Sequence, residues 1–258
     1  MRQLVIFILL FLFLQDFGFS QNFGCYDIVE PCRNDVFDYT YAREGVCDMF
    51  YDDVDWNDFA LDSNTADGYY KKYFFNNSSC TQDVKMEGFV KNGLQEGIWK
   101  FNLDGHNFYI GSFINGKKEG IWKGIFINQK GDSICSAEIE FKNNLYDGIS
   151  KYYYSNGRLC KIISYKNGLN NGLEIKYFVN DTTEVAYIEE LKEYTNGKLN
   201  GKYLIYNFFS PFDTLTYGEY SFGKKNGRFT YNQYDRAKTI VDYVNDKVEG
   251  KVIKYYHY

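Results

Sequence analysis

A five-residue loop closed by a glycine recurs along the chain, and this recurrence limits the possible folds more than any other feature. Asn92-Gly93-Leu94-Gln95-Glu96, Asn115-Gly116-Lys117-Lys118-Glu119, Asn167-Gly168-Leu169-Asn170-Asn171 and Asn196-Gly197-Lys198-Leu199-Asn200 fall into register. Three degenerate copies begin at Asn143-Asn144, Phe222-Gly223 and Asn245-Asp246, so the closing glycines are Gly97, Gly120, Gly148, Gly172, Gly201, Gly227 and Gly250. Successive closing glycines are 23 to 29 residues apart, a spacing typical of repeat arrays.

Seven residues before these glycines stand Val90, Phe113, Phe141, Tyr165, Tyr194, Tyr220 and Tyr243, all but the first aromatic. Short apolar runs follow them, such as Ile98-Trp99-Lys100-Phe101 and Tyr203-Leu204-Ile205-Tyr206. Strand formers on both sides of Asn-Gly predict a β-hairpin, because a type I′ turn needs positive φ at both central residues. Further turn signals at Asp104-Gly105, Gly131-Asp132, Asn156-Gly157 and Asn180-Asp181 return the chain between units. A lone hairpin is marginal in water, so the units must pair side by side. The expected fold is all-β: an elongated antiparallel meander of about seven hairpins over residues 85–258. The closing glycines belong at strand positions, either beneath an aromatic ring of a neighbouring strand or at β-bulges.

The stretch Tyr109-Ile110-Gly111-Ser112-Phe113-Ile114-Asn115-Gly116-Lys117-Lys118-Glu119-Gly120-Ile121-Trp122 resembles a MORN (membrane occupation and recognition nexus) repeat. The variant is the one found in many bacterial proteins, including those labelled YwqK-type antitoxins. The resemblance covers residues 85–258 and implies a single-layer sheet of hairpins used for protein or lipid contact. The antitoxin label implies, as an alternative, an immunity-like protein that binds a toxin. The chain departs from the family pattern by insertions before Gly148 and Gly201 and by the loss of Asn-Gly in three copies.

Residues 1–84 follow different rules. Met1 and Arg2, the apolar run Leu4 to Leu14, and small residues at Gly18 and Ser20 predict a signal peptide over 1–20, cleaved before Gln21. Eleven apolar residues make about 16 Å of helix against about 30 Å of hydrocarbon, so a membrane anchor is disfavoured. No later segment is apolar for long enough to span a membrane, which leaves a secreted, periplasmic or cell-envelope protein. Residues 21–84 form an acidic cysteine-containing region with thirteen acids against four bases, whereas residues 85–258 carry an excess of lysine and arginine. The net charge of -5 gives no signature for nucleic acid.

Export makes the cysteines disulfide candidates first. Cys25, Cys32, Cys47 and Cys80 are the candidate set, with Cys25 to Cys32 and Cys47 to Cys80 the favoured pairing among three connectivities. Cys135 and Cys160 fall at nearly equivalent repeat positions with one strand between them, about 9.6 Å apart. A disulfide needs Cα atoms within about 7 Å, so these two are expected not to bond to each other and to act as buried small hydrophobes.

No catalytic, cofactor or metal site emerges from the motifs. Asp62-Ser63-Asn64-Thr65-Ala66-Asp67-Gly68 resembles a calcium loop but misses its spacing by one residue. The carboxylates between Asp48 and Asp67 are the only reservoir for a hydrolase, with Asp53 and Asp55 the residues to test, and nothing sets two of them at a working separation. His106 and His257 lack nucleophilic or metal-ligating company. Lys117, Lys118, Lys123, Lys198, Lys202, Lys224, Lys225 and Arg228 gather near the loops, as a positive strip for an anionic lipid or glycan surface or as protection of the sheet against aggregation. The expected activity is non-enzymatic, with the aromatic sheet face contacting a protein partner.

Overall fold

A computed structural model describes residues 56–62, 64–76, 81–128, 130–179, 186–206, 214–233 and 237–256. The signal peptide, the four candidate disulfide cysteines and the Asn180-Asp181 turn lie outside the described residues.

After a 3-10 turn at Trp56–Phe59 the chain forms one open antiparallel sheet of eighteen strands. In order these are β1 (Gly68–Asn76), β2 (Thr81–Lys91), β3 (Leu94–Asn102), β4 (Asn107–Ile114), β5 (Lys117–Ile127), β6 (Ser133–Lys142), β7 (Leu145–Tyr146), β8 (Gly148–Tyr153) and β9 (Leu159–Lys166). They continue as β10 (Leu169–Val179), β11 (Ala186–Thr195), β12 (Lys198–Tyr206), β13 (Thr214–Ser221), β14 (Lys224–Lys225), β15 (Gly227–Asn232), β16 (Lys238–Val244), β17 (Lys247–Val248) and β18 (Ile253–Tyr255). β7 with β8, β14 with β15, and β17 with β18 are each one strand interrupted near the closing glycine, so the expected meander of seven hairpins is present. The sheet begins earlier than the composition shift near residue 84. Gly68 pairs with Val90 as Gly97 pairs with Phe113 and Gly120 with Phe141. Asp67-Gly68 and β1 are thus the second half of one more unit.

Local chemistry explains the turns. Both central residues of all seven loops have positive φ, from Asn92 (53°) and Gly93 (69°) to Asn245 (51°) and Asp246 (68°). Asn and Gly tolerate this region because a short polar side chain, or none, avoids the clash of Cβ with the carbonyl.

The turns are also sewn to one another. The residue before each of the first five closing glycines accepts a hydrogen bond from the first amide of the next turn: Asn115 N–H to Glu96 Oε2 (2.8 Å), Asn143 to Glu119 Oε1 (2.8 Å), Asn167 to Asp147 Oδ2 (3.0 Å), Asn196 to Asn171 Oδ1 (3.1 Å) and Phe222 to Asn200 Oδ1 (3.1 Å). A main-chain bond runs beside each, such as Gly116 N–H to Gln95 O (2.9 Å) and Gly197 N–H to Asn170 O (2.8 Å). Asp67 does the same for the first turn through Gly93 N–H (3.0 Å). Carboxylate or amide at this position therefore sets the register between units.

Of the two roles open to the closing glycines, the structure selects the bulge. Glu87 pairs with Lys100 but Phe89 with Glu96, so Gly88 alone faces Gly97 to Trp99, and Gly97 takes φ +68°. The ring-crossed glycines form a different set. The indole of Trp99 lies on Gly88, that of Trp122 on Gly111 and the ring of Phe229 on Gly218, each leaving no space for a Cβ. Each indole N–H then reaches a carbonyl beyond its glycine, Trp99 Nε1 to Phe89 O (3.1 Å) and Trp122 Nε1 to Ser112 O (3.2 Å). In the third unit Ser150 stands where these three have a ring, and Ile139 occupies the glycine position. Side-chain volume is thus exchanged across the strand pair, which keeps the packing filled.

Side chains of this face form the core. Met86, Val90, Trp99, Phe101, Tyr109, Phe113, Trp122, Ala137, Ile139 and Phe141 are buried together, with Trp56, Phe59 and Leu61 packed onto them. Trp56 meets Phe101, Tyr109 and Trp122 edge-on at 5.5, 5.5 and 5.8 Å between ring centroids.

Gly88→Ala is expected to cost about 3 kcal/mol through overpacking against Trp99. Gly97→Ala, whose Cβ would meet open space at positive φ, is expected to cost about 1–2 kcal/mol. Urea unfolding of the two variants checks the order. Phe222 holds φ 48° while exposed, so Phe222→Asn is expected to stabilise the fold by about 1 kcal/mol in the same assay.

Candidate functional site

Alternation along each strand sends the residue after the closing glycine to the face opposite the aromatic core. In the first four units this residue is aliphatic and exposed: Ile98 (65%), Ile121 (60%), Ile149 (54%) and Leu173 (40%). Their cross-strand neighbours are Ser112, Glu140, Ser164 and Glu193. Tyr69 and Phe89, paired across β1 and β2 and both exposed, extend the row at its N-terminal end. In the next two units the same position is Lys202 opposite Glu219 and Arg228 opposite Asp242, so the row turns from apolar to charged. Arg228 holds Asp242 through two hydrogen bonds (2.9 and 3.2 Å).

Two strand positions further on, charge triads flank the aliphatic row. Glu87 lies between Lys71 (3.1 Å) and Lys100 (3.6 Å), and Glu138 between Lys123 (3.5 Å) and Lys151 (3.5 Å). Burial pushes the Glu87 carboxyl up, but hydrogen bonds from Lys71 and Tyr69 hold it below its usual value. Each triad carries one net positive charge beside an apolar strip. Edges of this kind fit an amphipathic protein surface with acidic flanks.

The positive strip expected from the lysines is thereby divided. Lys118 and Lys225, both two residues before a closing glycine, turn to the aromatic face instead. Lys118 Nζ sits 3.2 Å from the Trp56 ring centroid, 4.7 Å from Trp122 and 5.1 Å from Phe141. Lys225 Nζ lies over Phe229, Tyr231 and Tyr243 and donates to Tyr231 Oη (2.9 Å). Lys123 and Arg228 are ion-paired. Sequence reasoning missed this split because loop spacing does not say which way a side chain turns; the alternation from the closing glycine would have shown it.

The aromatic face is likewise not the open contact surface expected of it. Trp99, Phe101 and Trp122 are sealed, and residues 56–61 lie against them. The partly polar stretch beyond, where Glu174 lies between Lys161 (3.6 Å) and Lys192 (3.9 Å), closes that face with ion pairs.

The acidic loop serves structure at each described position. Asp62 accepts hydrogen bonds from Tyr70 and Lys72, which hold its carboxyl below the usual range, and Asp67 is held low by the amides of Asn92 and Gly93. Asp58 faces Lys85 at 4.0 Å. Asp48, Asp52, Asp53 and Asp55 lie outside the described residues. Among the described residues no group of three or more His, Cys, Asp or Glu is placed to hold a metal ion, and no helix is long and apolar enough to cross a membrane. His106 is exposed in the turn after Asp104-Gly105. Cys135 on β6 is a free thiol, so it is not bonded to Cys160. Cys160 on β9 is fully buried, as expected of a small hydrophobe, whereas Cys135 is only partly buried.

No model of a known protein family and no curated protein sequence matches the chain.

Burial pushes the Lys118 ammonium down to about 7 from the ordinary 10.5. Between those values the unfolded chain binds the extra proton, so stability is expected to rise as pH increases from 7 to 9.5. Above 10 the trend reverses, because Tyr69, Tyr70, Tyr153 and Tyr194 are pushed up to about 12 by burial and the unfolded chain loses those protons first. Melting curves of Lys118→Met are expected to lack the rise between pH 7 and 9.5.

Proposed function

We propose that this is an exported, non-enzymatic repeat protein of the MORN type that holds a protein partner on the face opposite its aromatic core. The supporting observation is the row Ile98, Ile121, Ile149 and Leu173, exposed, in register and present once in each of the first four units. Water-exposed aliphatic side chains aligned across several strands are uncommon on a soluble sheet unless another surface covers them. Unit spacing places the anchors two strands apart, about 9.6 Å, which suits a partner that also presents a regular element. The lysines of the flanking triads orient that partner through its acidic residues, and contribute more to encounter rate than to affinity.

Photo-crosslinking residues placed at Ile98, Ile121 and Ile149 in the native cell are expected to capture one and the same protein. Ile121→Lys is expected to weaken that complex at least about tenfold, the order of a central anchor. Capture from the 56–61 side instead, or turnover of a glycan that is lost with Asp53→Asn or Asp55→Asn, would overturn the reading.

A further inference from the structure

The outer face holds its apolar strip in a setting that limits what can lie on it. On β1, β3, β5 and β8 the residue one place after the closing-glycine position is apolar and the residue three places after it is lysine. These pairs are Tyr69 with Lys71, Ile98 with Lys100, Ile121 with Lys123 and Ile149 with Lys151, and all four apolar members are exposed. Direct cross-strand pairs run through the lysine row from Lys71 to Glu87 and Lys100, then to Ile110 and Lys123, then to Glu138 and Lys151. Four ammonium groups thus stand on one side of the strip against two carboxylates. The pattern ends there, since Ile175 follows Leu173 at the lysine position. On the turn side of the strip, Glu96, Glu119 and Asp147 are engaged by turn amides.

Width limits the occupant. The apolar strip is one side chain wide, with charged groups on both sides. A sheet packed face to face would cover the whole surface and bury both charged rows. An α-helix, about 10–12 Å across, would cover them as well. Spacing points the same way. Anchors two strands apart recur about every 9.6 Å, whereas like-facing residues of a single strand recur at about 6.7 or 13.4 Å. Heptad positions of an α-helix recur at about 10.5 Å and drift by roughly 2.7 Å over the three intervals from Tyr69 to Ile149. In a polyproline II helix every third residue returns to the same side after about 9.3 Å, a drift of only ~0.9 Å.

We propose that the partner engages this strip with a polyproline II segment laid across the strands, with an apolar residue at every third position and a carboxylate beside it. Each apolar residue packs at one of Tyr69, Ile98, Ile121 and Ile149, and each carboxylate meets the lysine of the same strand. The third residue of each triplet faces the turn-side carboxylates and is uncharged or basic. Tyr69 and Phe89, exposed at the N-terminal end, offer ring surfaces of the kind on which proline packs. Such a segment is extended before it binds and loses little conformational freedom on docking. This element deepens, and rests on, the outer-face partner proposed above.

Fluorescein-labelled peptides and the full folded chain provide the test, read by fluorescence anisotropy. One peptide holds four Leu-Glu-Pro triplets, a second has the same composition with the triplet period shuffled, and a third is an α-helical peptide with Leu and Glu at heptad spacing. The triplet peptide is expected to bind at least about tenfold tighter than either of the others, and Ile121→Lys to weaken it by a similar factor. The double variant Lys100→Glu, Lys123→Glu is expected to lose the Leu-Glu-Pro peptide and to take up a Leu-Lys-Pro version, which a misfolded variant would not do. Equal binding of the shuffled peptide, tighter binding of the helical one, or no exchange of preference overturns the proposal. In-cell crosslinking from Ile98, Ile121 and Ile149 tells the two failures apart. A captured partner with no triplet preference overturns the polyproline II element alone, whereas no capture overturns the outer-face partner and this element with it.

Discussion

Every unit of this protein is too small to fold alone, and what joins one to the next is a pair of hydrogen bonds at the edge of the turns. A carboxylate or amide before each of the first five closing glycines takes the first amide of the following turn, and a main-chain bond lies beside it. Because side chains alternate with a period of two, a slip of one residue would send the aromatic face to solvent. The turn-edge bonds, together with the bulge at each closing glycine, hold that register. Rings can then lie on the glycines of the preceding strand, where any Cβ would displace them.

From this register follows the division of labour between the two faces. One carries Trp99, Phe101, Trp122 and Phe141 and is sealed from its own chain's side by Trp56 and Phe59. The other carries one exposed aliphatic residue in each of the first four units, beside lysine–carboxylate triads. The burial of Lys118 within the first face, beneath Trp56, is the electrostatic cost of closing it. The face proposed for a partner is therefore the one that has no covering segment of its own among the described residues.

Much of the fold was legible in the residues. Asn-Gly and its degenerate forms marked all seven turns, since few residues accept positive φ in succession, and the aromatic positions marked the strands. The first half-unit at Asp67-Gly68 escaped because it has no loop of its own, only the carboxylate and glycine that complete someone else's turn. The role of Gly88, Gly111 and Gly218 escaped for a different reason: they lie nine residues from the closing glycines, and only pairing brings them beneath rings. The candidate site was less legible. Ile98, Ile121, Ile149 and Leu173 look in sequence like ordinary core residues of a strand, and the lysines beside the loops look like one continuous strip.

The sequence by itself determined where the chain turns and how often, because backbone sterics at Asn, Gly and the β-branched and aromatic residues act locally. Only the tertiary structure decided which of the two faces is sealed, which lysines turn under the rings and which aliphatic residues stay in water. Those outcomes depend on the cross-strand register and on residues 56–61 packing on one side, and both join positions far apart in the chain.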